Sequence, residues 1–102
     1  MAGYVKVATT DDVVPGQGKL VEVNGQKLAL FSIDGAYYAI EDACSHRGGP
    51  LSEGEVKGQD VECPWHGALF NVVTGEASGP PADVAVTKYN VRVQGADIEV
   101  EV

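Results

Sequence analysis

The sequence predicts an all-β domain of antiparallel strands carrying a loop-rich insertion, and three observations point that way. Asn24-Gly25 and Asp34-Gly35 are strong two-residue hairpin signals, each flanked by β-prone residues. Residues 97–102 alternate strictly between polar and apolar side chains, as a half-buried strand does. No segment longer than a turn or two carries helical periodicity.

Near the N-terminus, Asp11-Asp12-Val13-Val14 can open a helical turn, but Pro15-Gly16 stops it, so this stretch is expected to be a loop leading into a strand near Leu20. Residues 20–23, 26–33 and 37–40 then form a meander around the two hairpin turns. A turn at Asn24-Gly25 sets Glu22 opposite Lys27, an opposite-charge pair on a solvated face. Short strands are expected around Val61-Glu62 and through residues 69–72, with Thr74-Gly75 as the next turn. Residues 89–94 alternate as one strand and pair with residues 97–102 across Gly95-Ala96. That hairpin places Arg92 opposite Glu99 and Val91 opposite Val100, and Gly95 suits the first central position of a type II′ turn.

Composition allows one modest core. The chain has 102 residues, 44% hydrophobic and 22% charged, which fits a single domain over 1–102 with the insertion at about 41–82. The longest apolar run, residues 36–40, falls far short of the roughly 20 residues needed to span a bilayer. Met1-Ala2-Gly3-Tyr4 has neither the basic nor the apolar part of a signal peptide, so a cytoplasmic protein is expected. Fifteen acidic against 7 basic residues, net charge −8, disfavour nucleic acid and favour partners with basic docking surfaces.

The chemistry-bearing residues are concentrated in two places. Cys44-Ser45-His46 and Cys63-Pro64-Trp65-His66 hold every cysteine and every histidine of the chain. Two loop tips can therefore each offer one sulfur and one nitrogen to a shared metal site. A disulfide between the cysteines would need an oxidising compartment, for which the sequence gives no sign. A structural zinc also accepts two thiolates and two imidazoles, but its usual order groups the cysteines apart from the histidines, whereas each cluster here is mixed.

The string C-S-H-R-G-G-P-L-S-E-G, then V-E-C-P-W-H-G-A-L-F-N, then T-G-E-A-S-G-P-P, resembles the cluster-binding region of soluble Rieske-type ferredoxins over some 38 residues. The resemblance implies an antiparallel Rieske-like β-sandwich or barrel with a loop-rich cluster-binding subdomain. It also implies one [2Fe–2S] cluster, with Cys44 and Cys63 on one iron and His46 and His66 on the other. Around these ligands, Gly48 and Gly67 let the tips turn tightly. Arg47 is the one basic residue of either tip, Pro80 and Pro81 fall in the proline-containing loop that covers the cluster, and Trp65 is expected to cover the cluster as a shield, with an aromatic contact at the docking face as the alternative. Membrane-anchored Rieske proteins carry a further bridging cysteine pair, where this chain has Gly49 and Trp65.

The same resemblance implies a function. Neutral imidazoles leave a Rieske cluster less negative than an all-thiolate one, and the histidine ring edges give the electron an exit toward a docked partner. A potential that falls with pH follows once the non-ligating ring nitrogen loses its proton. Where high-potential members have a serine and a tyrosine donating to cluster sulfur, this chain has Ala68 and Phe70, which argues for the low end of the class, roughly −150 mV in a range reaching about +300 mV. Soluble ferredoxins of this type pass electrons from an NAD(P)H-dependent flavin reductase to a terminal Rieske non-haem iron oxygenase in aromatic-ring catabolism. The chain is not expected to be an enzyme: it has no further histidines for a mononuclear iron site and no dinucleotide fingerprint. Two other functions fit the motif, a Rieske-like small subunit of a nitrite-reductase-type complex and a redox- or iron-sensing module.

Overall fold

A computed structural model describes residues 3–43, 49–65, 67–79 and 85–101. Eleven strands form three antiparallel sheets among the described residues. The first sheet has the order β1-β11-β10, from Tyr4–Thr9, Asp97–Glu101 and Val91–Gln94. The second has the order β2-β3-β4-β9, from Lys19–Val23, Gln26–Ile33, Ala36–Glu41 and Lys88–Tyr89. A smaller meander of β5 (Glu55–Lys57), β6 (Asp60–Glu62), β7 (Leu69–Asn71) and β8 (Ala77–Gly79) makes the third.

Strand β3 explains how three layers hold together. Leu28, Ala29, Leu30 and Phe31 are all fully buried, so both faces of the strand are covered. Leu28 and Leu30 pack with Ala8, Val21, Val23, Ile98 and Val100 toward the first sheet. Ala29 and Phe31 pack with Leu51, Val61, Cys63, Ala68 and Phe70 toward the third. At roughly 1.5–3 kcal/mol for each fully buried large apolar side chain, this strand ties both cores together.

The predicted hairpins form in the predicted registers. Asn24 and Gly25 have φ of 52° and 79°, and Asp34 and Gly35 have 52° and 82°, so both turns have the two left-handed residues of type I′. Glu22 faces Lys27, Val91 faces Val100, and Arg92 faces Glu99 with Nε donating to Oε1 at 2.6 Å. At the last hairpin Gly95 has φ 61° and Ala96 does not share it, the pattern of type II′.

Three elements differ from expectation. Residues 4–9, left unassigned by the sequence reading, form β1 on the edge of the first sheet, pinned by Lys6 Nζ to Asp97 Oδ1 at 3.2 Å. The expected loop after it contains a single 3-10 turn, Thr10–Asp12, where the backbone N–H and hydroxyl of Thr9 both donate to Asp12 Oδ2. The expected single strand over residues 89–94 is split at Asn90: Tyr89 pairs with Ala39 in the second sheet, and Val91 pairs with Val100 in the first. Asn90 turns this corner, its carbonyl accepting from Glu101 N–H at 2.9 Å and its side-chain amide donating to Glu101 Oε1.

Candidate metal centre

The second of the two tips expected to carry ligands is the turn between β6 and β7. Cys63 N–H donates to the Ala68 carbonyl at 2.7 Å, and Gly67 N–H donates back to the Cys63 carbonyl at 3.0 Å. Gly67 makes that closure with φ 73°, a left-handed conformation that a side chain would resist. The turn directs Cys63 inward, where it is 1% exposed and packs with Val61, Leu51, Ala68 and Phe70. Beside it, Lys57 Nζ meets Glu62 Oε1 at 3.1 Å, and that contact raises the lysine pKa.

The first tip is held by its two feet. Asp42 follows β4, its N–H donating to the Lys27 carbonyl, and its own carbonyl and one carboxylate oxygen hold the 3-10 turn Leu51–Glu53. The Asp42 carbonyl takes the Leu51 N–H at 2.7 Å, and Asp42 Oδ1 takes the Ser52 N–H at 2.8 Å. Ala43 and Pro50 form an antiparallel bridge that closes the loop between them.

The two tips meet at Gly49. A Cβ there would stand 2.6 Å from Cys63 Sγ and 3.1 Å from both Cγ and Cδ2 of Trp65. Only a glycine lets the first loop lie this close to the thiol of the second. Sequence reasoning noted Gly49 for its place in the motif but missed the anchoring role of Asp42, a carboxylate only 6% exposed. The acid just past the apolar run 36–40 carried no such signal, because its partner Ser52 lies across the loop rather than along the strand.

Of the predicted site residues, Cys63, Trp65, Gly67, Ala68 and Phe70 are brought together here. Cys44, His46, Arg47, Gly48, His66, Pro80 and Pro81 lie outside the described residues. Of the two expectations for Trp65, the exposed aromatic contact fits better than the buried shield: the residue is 59% exposed, resting on Gly49 at the tip rather than sunk into the core. Ala68 and Phe70 are both fully buried in the same apolar cluster as Cys63, so neither brings a side-chain donor to its surroundings.

These residues fit an iron–sulfur cluster. A buried cysteine is set on a glycine-bearing turn, a second loop is laid against its sulfur by Gly49, and the sequence supplies two thiolates and two imidazoles in all. The Rieske [2Fe-2S] domain matches residues 3–90, and the chain belongs to that family. Its cofactor is accordingly a Rieske-type [2Fe–2S] cluster.

Within the family the chain is of the ferredoxin kind, an electron-transfer component rather than an enzyme. It is 36% identical to the biphenyl dioxygenase ferredoxin subunit of Pseudomonas sp. (strain KKS102), covering 96% of this chain and 91% of that one. The ferredoxin of carbazole 1,9a-dioxygenase from Nocardioides aromaticivorans IC177 superposes with a TM-score of 0.91 at 33% identity, over 95% of each chain. A ferredoxin in a complex of reduced oxygenase and oxidized ferredoxin of carbazole 1,9a-dioxygenase superposes with a TM-score of 0.88 at 36% identity, over 94% of this chain and 99% of that one.

Proposed function

We propose that this chain carries single electrons from an NAD(P)H-dependent flavin reductase to a terminal Rieske non-haem iron oxygenase acting on aromatic compounds, in the cytoplasm. Cys44 and Cys63 would hold one iron of the cluster, and His46 and His66 the other. The bound cluster supplies reversible storage of one electron. What the described residues do is hold Cys63 in a dry core and keep Trp65 at the outer tip accessible. The contact at Gly49 carries this reading, because it lays the first loop directly on the thiol of the second.

Several observations support it. Cys63 is buried while Trp65, two residues on, is exposed, so the tip passes from core to surface within one turn. The apolar surroundings of Ala68 and Phe70 favour a potential at the low end of the class. Among the described residues no helix is long and apolar enough to cross a membrane. The relatives named above are ferredoxins of aromatic dioxygenase systems.

Spectroscopy and rapid kinetics test the proposal together. Purified protein should be coloured, contain two irons per chain, and lose its characteristic spectrum in His46→Ala and His66→Ala. Anaerobic stopped-flow mixing should show it reduced by a flavin reductase with NAD(P)H and reoxidised by a terminal oxygenase. A colourless zinc-loaded protein, or a cluster that no oxygenase reoxidises, would overturn it.

A further inference from the structure

Beside the metal centre lies a surface groove of about 530 Å³ that the electron-carrier reading does not use. It runs from the second sheet to the tips, lined by Gln26, Lys27, Glu41, Tyr89, Trp65 and Pro50, with Asp42 and Ala43 completing the wall. Two aromatic residues and two carboxylates thus share one concavity with a single ammonium group among the described residues. Glu41 is close enough to Tyr89 to help raise the phenol's pKa, after burial as the larger cause. Tyr89 is held in place by donating its hydroxyl to Gln26 Oε1 at 3.2 Å. Glu41 is also fixed, its Oε1 accepting from Thr87 N–H at 3.2 Å.

A fixed carboxylate beside the Tyr89 ring, in a groove also lined by Trp65, suits a guanidinium better than an ammonium. Arginine is planar and weakly hydrated, stacks on indole and phenol faces, and forks onto carboxylates. The net charge of −8 adds attraction for a basic side chain arriving from another protein. We propose that the groove is a socket for one arginine side chain of the terminal oxygenase, received beside Trp65 and Tyr89 and paired with Glu41. The occupant is taken to be the oxygenase because a ferredoxin 36% identical to this chain forms a complex with its oxygenase. The inference rests on the function proposed above. The socket would fix the carrier's rotation about the tip, since it lies to one side of the ligand loops and grips one residue of the partner.

Binding of the cluster-loaded protein to the terminal oxygenase of carbazole 1,9a-dioxygenase from N. aromaticivorans IC177 tests it, with that system's own ferredoxin as positive control. Glu41→Gln should raise the Kd about tenfold at low ionic strength, and Lys27→Gln should lower it, because one removes the counter-charge and the other a competing cation. Asp11→Asn, which removes the same charge from an exposed position outside the groove, should leave Kd within about twofold. Visible spectra of all three variants establish that the cluster is retained. Opposite signs for Glu41→Gln and Lys27→Gln are not produced by a structural defect. Unchanged Kd in Glu41→Gln, with the unsubstituted chain binding, would overturn the socket alone. Failure of the unsubstituted chain to bind would overturn both the socket and delivery to this class of oxygenase.

Discussion

Gly49→Ala is the sharpest perturbation the metal centre offers, because the added methyl has nowhere to go. Its carbon would stand 2.6 Å from Cys63 Sγ and 3.1 Å from two atoms of the Trp65 ring. Non-bonded carbon atoms settle at about 3.5–4.0 Å, so the overlap with sulfur is on the order of 1 Å. Trp65 is exposed and can swing away, but Cys63 is 1% exposed within the core and cannot. Either the thiol leaves its position or the first loop lifts off. Overpacking of this kind costs about 1–3 kcal/mol, and in a domain of this size about 4–8 °C of Tm goes with each kcal/mol. A fall in Tm of roughly 10 °C is expected, together with cluster loss, measured by calorimetry and by visible absorbance per chain. Two controls isolate the cause. Gly3→Ala meets nothing within 4 Å and should be silent, whereas Gly58→Ala meets nothing but carries φ 65°, so it should lose stability through backbone strain and keep its cluster. If Gly49→Ala matched Gly3→Ala in both Tm and absorbance, the tips would not meet at the thiol and the reasoning would fail.

Three further outcomes are expected. Asp42→Ala leaves the Ser52 N–H, in a residue 7% exposed, without its acceptor, which costs about 1–3 kcal/mol and hastens cluster loss to a chelator; Asp42→Asn keeps an oxygen there and should recover most of it. Ala68→Ser places a hydroxyl beside Cys63, and if it donates to cluster sulfur the midpoint potential should rise by about 20–65 mV, the equivalent of 0.5–1.5 kcal/mol for one electron; an unchanged or lower midpoint in voltammetry would count against the low-potential argument. The hydrogen bonds from the backbone and hydroxyl of Thr9 lower the Asp12 pKa, so their support for the 3-10 turn is present above the usual aspartate range and disappears as pH falls through the depressed folded-state value. Urea midpoints across the acid range should therefore converge for the parent and Asp12→Ala at low pH and separate near neutrality.

How much was legible in the sequence depended on whether the determining contact is local. Asn24-Gly25, Asp34-Gly35 and Gly95-Ala96 set their own turns, and the turns set the registers of Glu22 with Lys27 and of Arg92 with Glu99. The apolar run 28–31 of β3 is buried on both faces, by neighbours that no local pattern names. The break at Asn90 was invisible, since alternation continues through it while the partner strand changes from β4 to β11. At the metal centre, residue type and spacing identified Cys63, yet the supports of the first loop depend on contacts between distant segments. The choice between the two readings of Trp65 was weighted toward burial for the same reason: an indole gains most from burial, but here its neighbour is a glycine at the tip, which supports the ring without enclosing it.

The supports of the two tips reach back into the base of the molecule, which bears on how an electron carrier keeps its ligands still. Ser52, whose N–H anchors Asp42, is pressed against Gly18, where a Cβ would stand 2.6 Å from the Ser52 carbonyl and 2.9 Å from the Phe31 ring. Phe31 in turn shares the buried cluster of Cys63 and Ala68. Both loops therefore lean on one side chain of β3, the strand of the second sheet whose two faces pack toward the first and third. Movement of one tip relative to the other would have to displace Phe31, whose surroundings are close-packed and resist small shifts. On the ligand set proposed above, a frame anchored at these feet would change little in shape when charge is added, which would keep the energy spent on rearrangement at each transfer small. The exposed part of the tip, Trp65 with the neighbouring groove, can meet a partner without disturbing that frame, because the ring rests on Gly49 from outside.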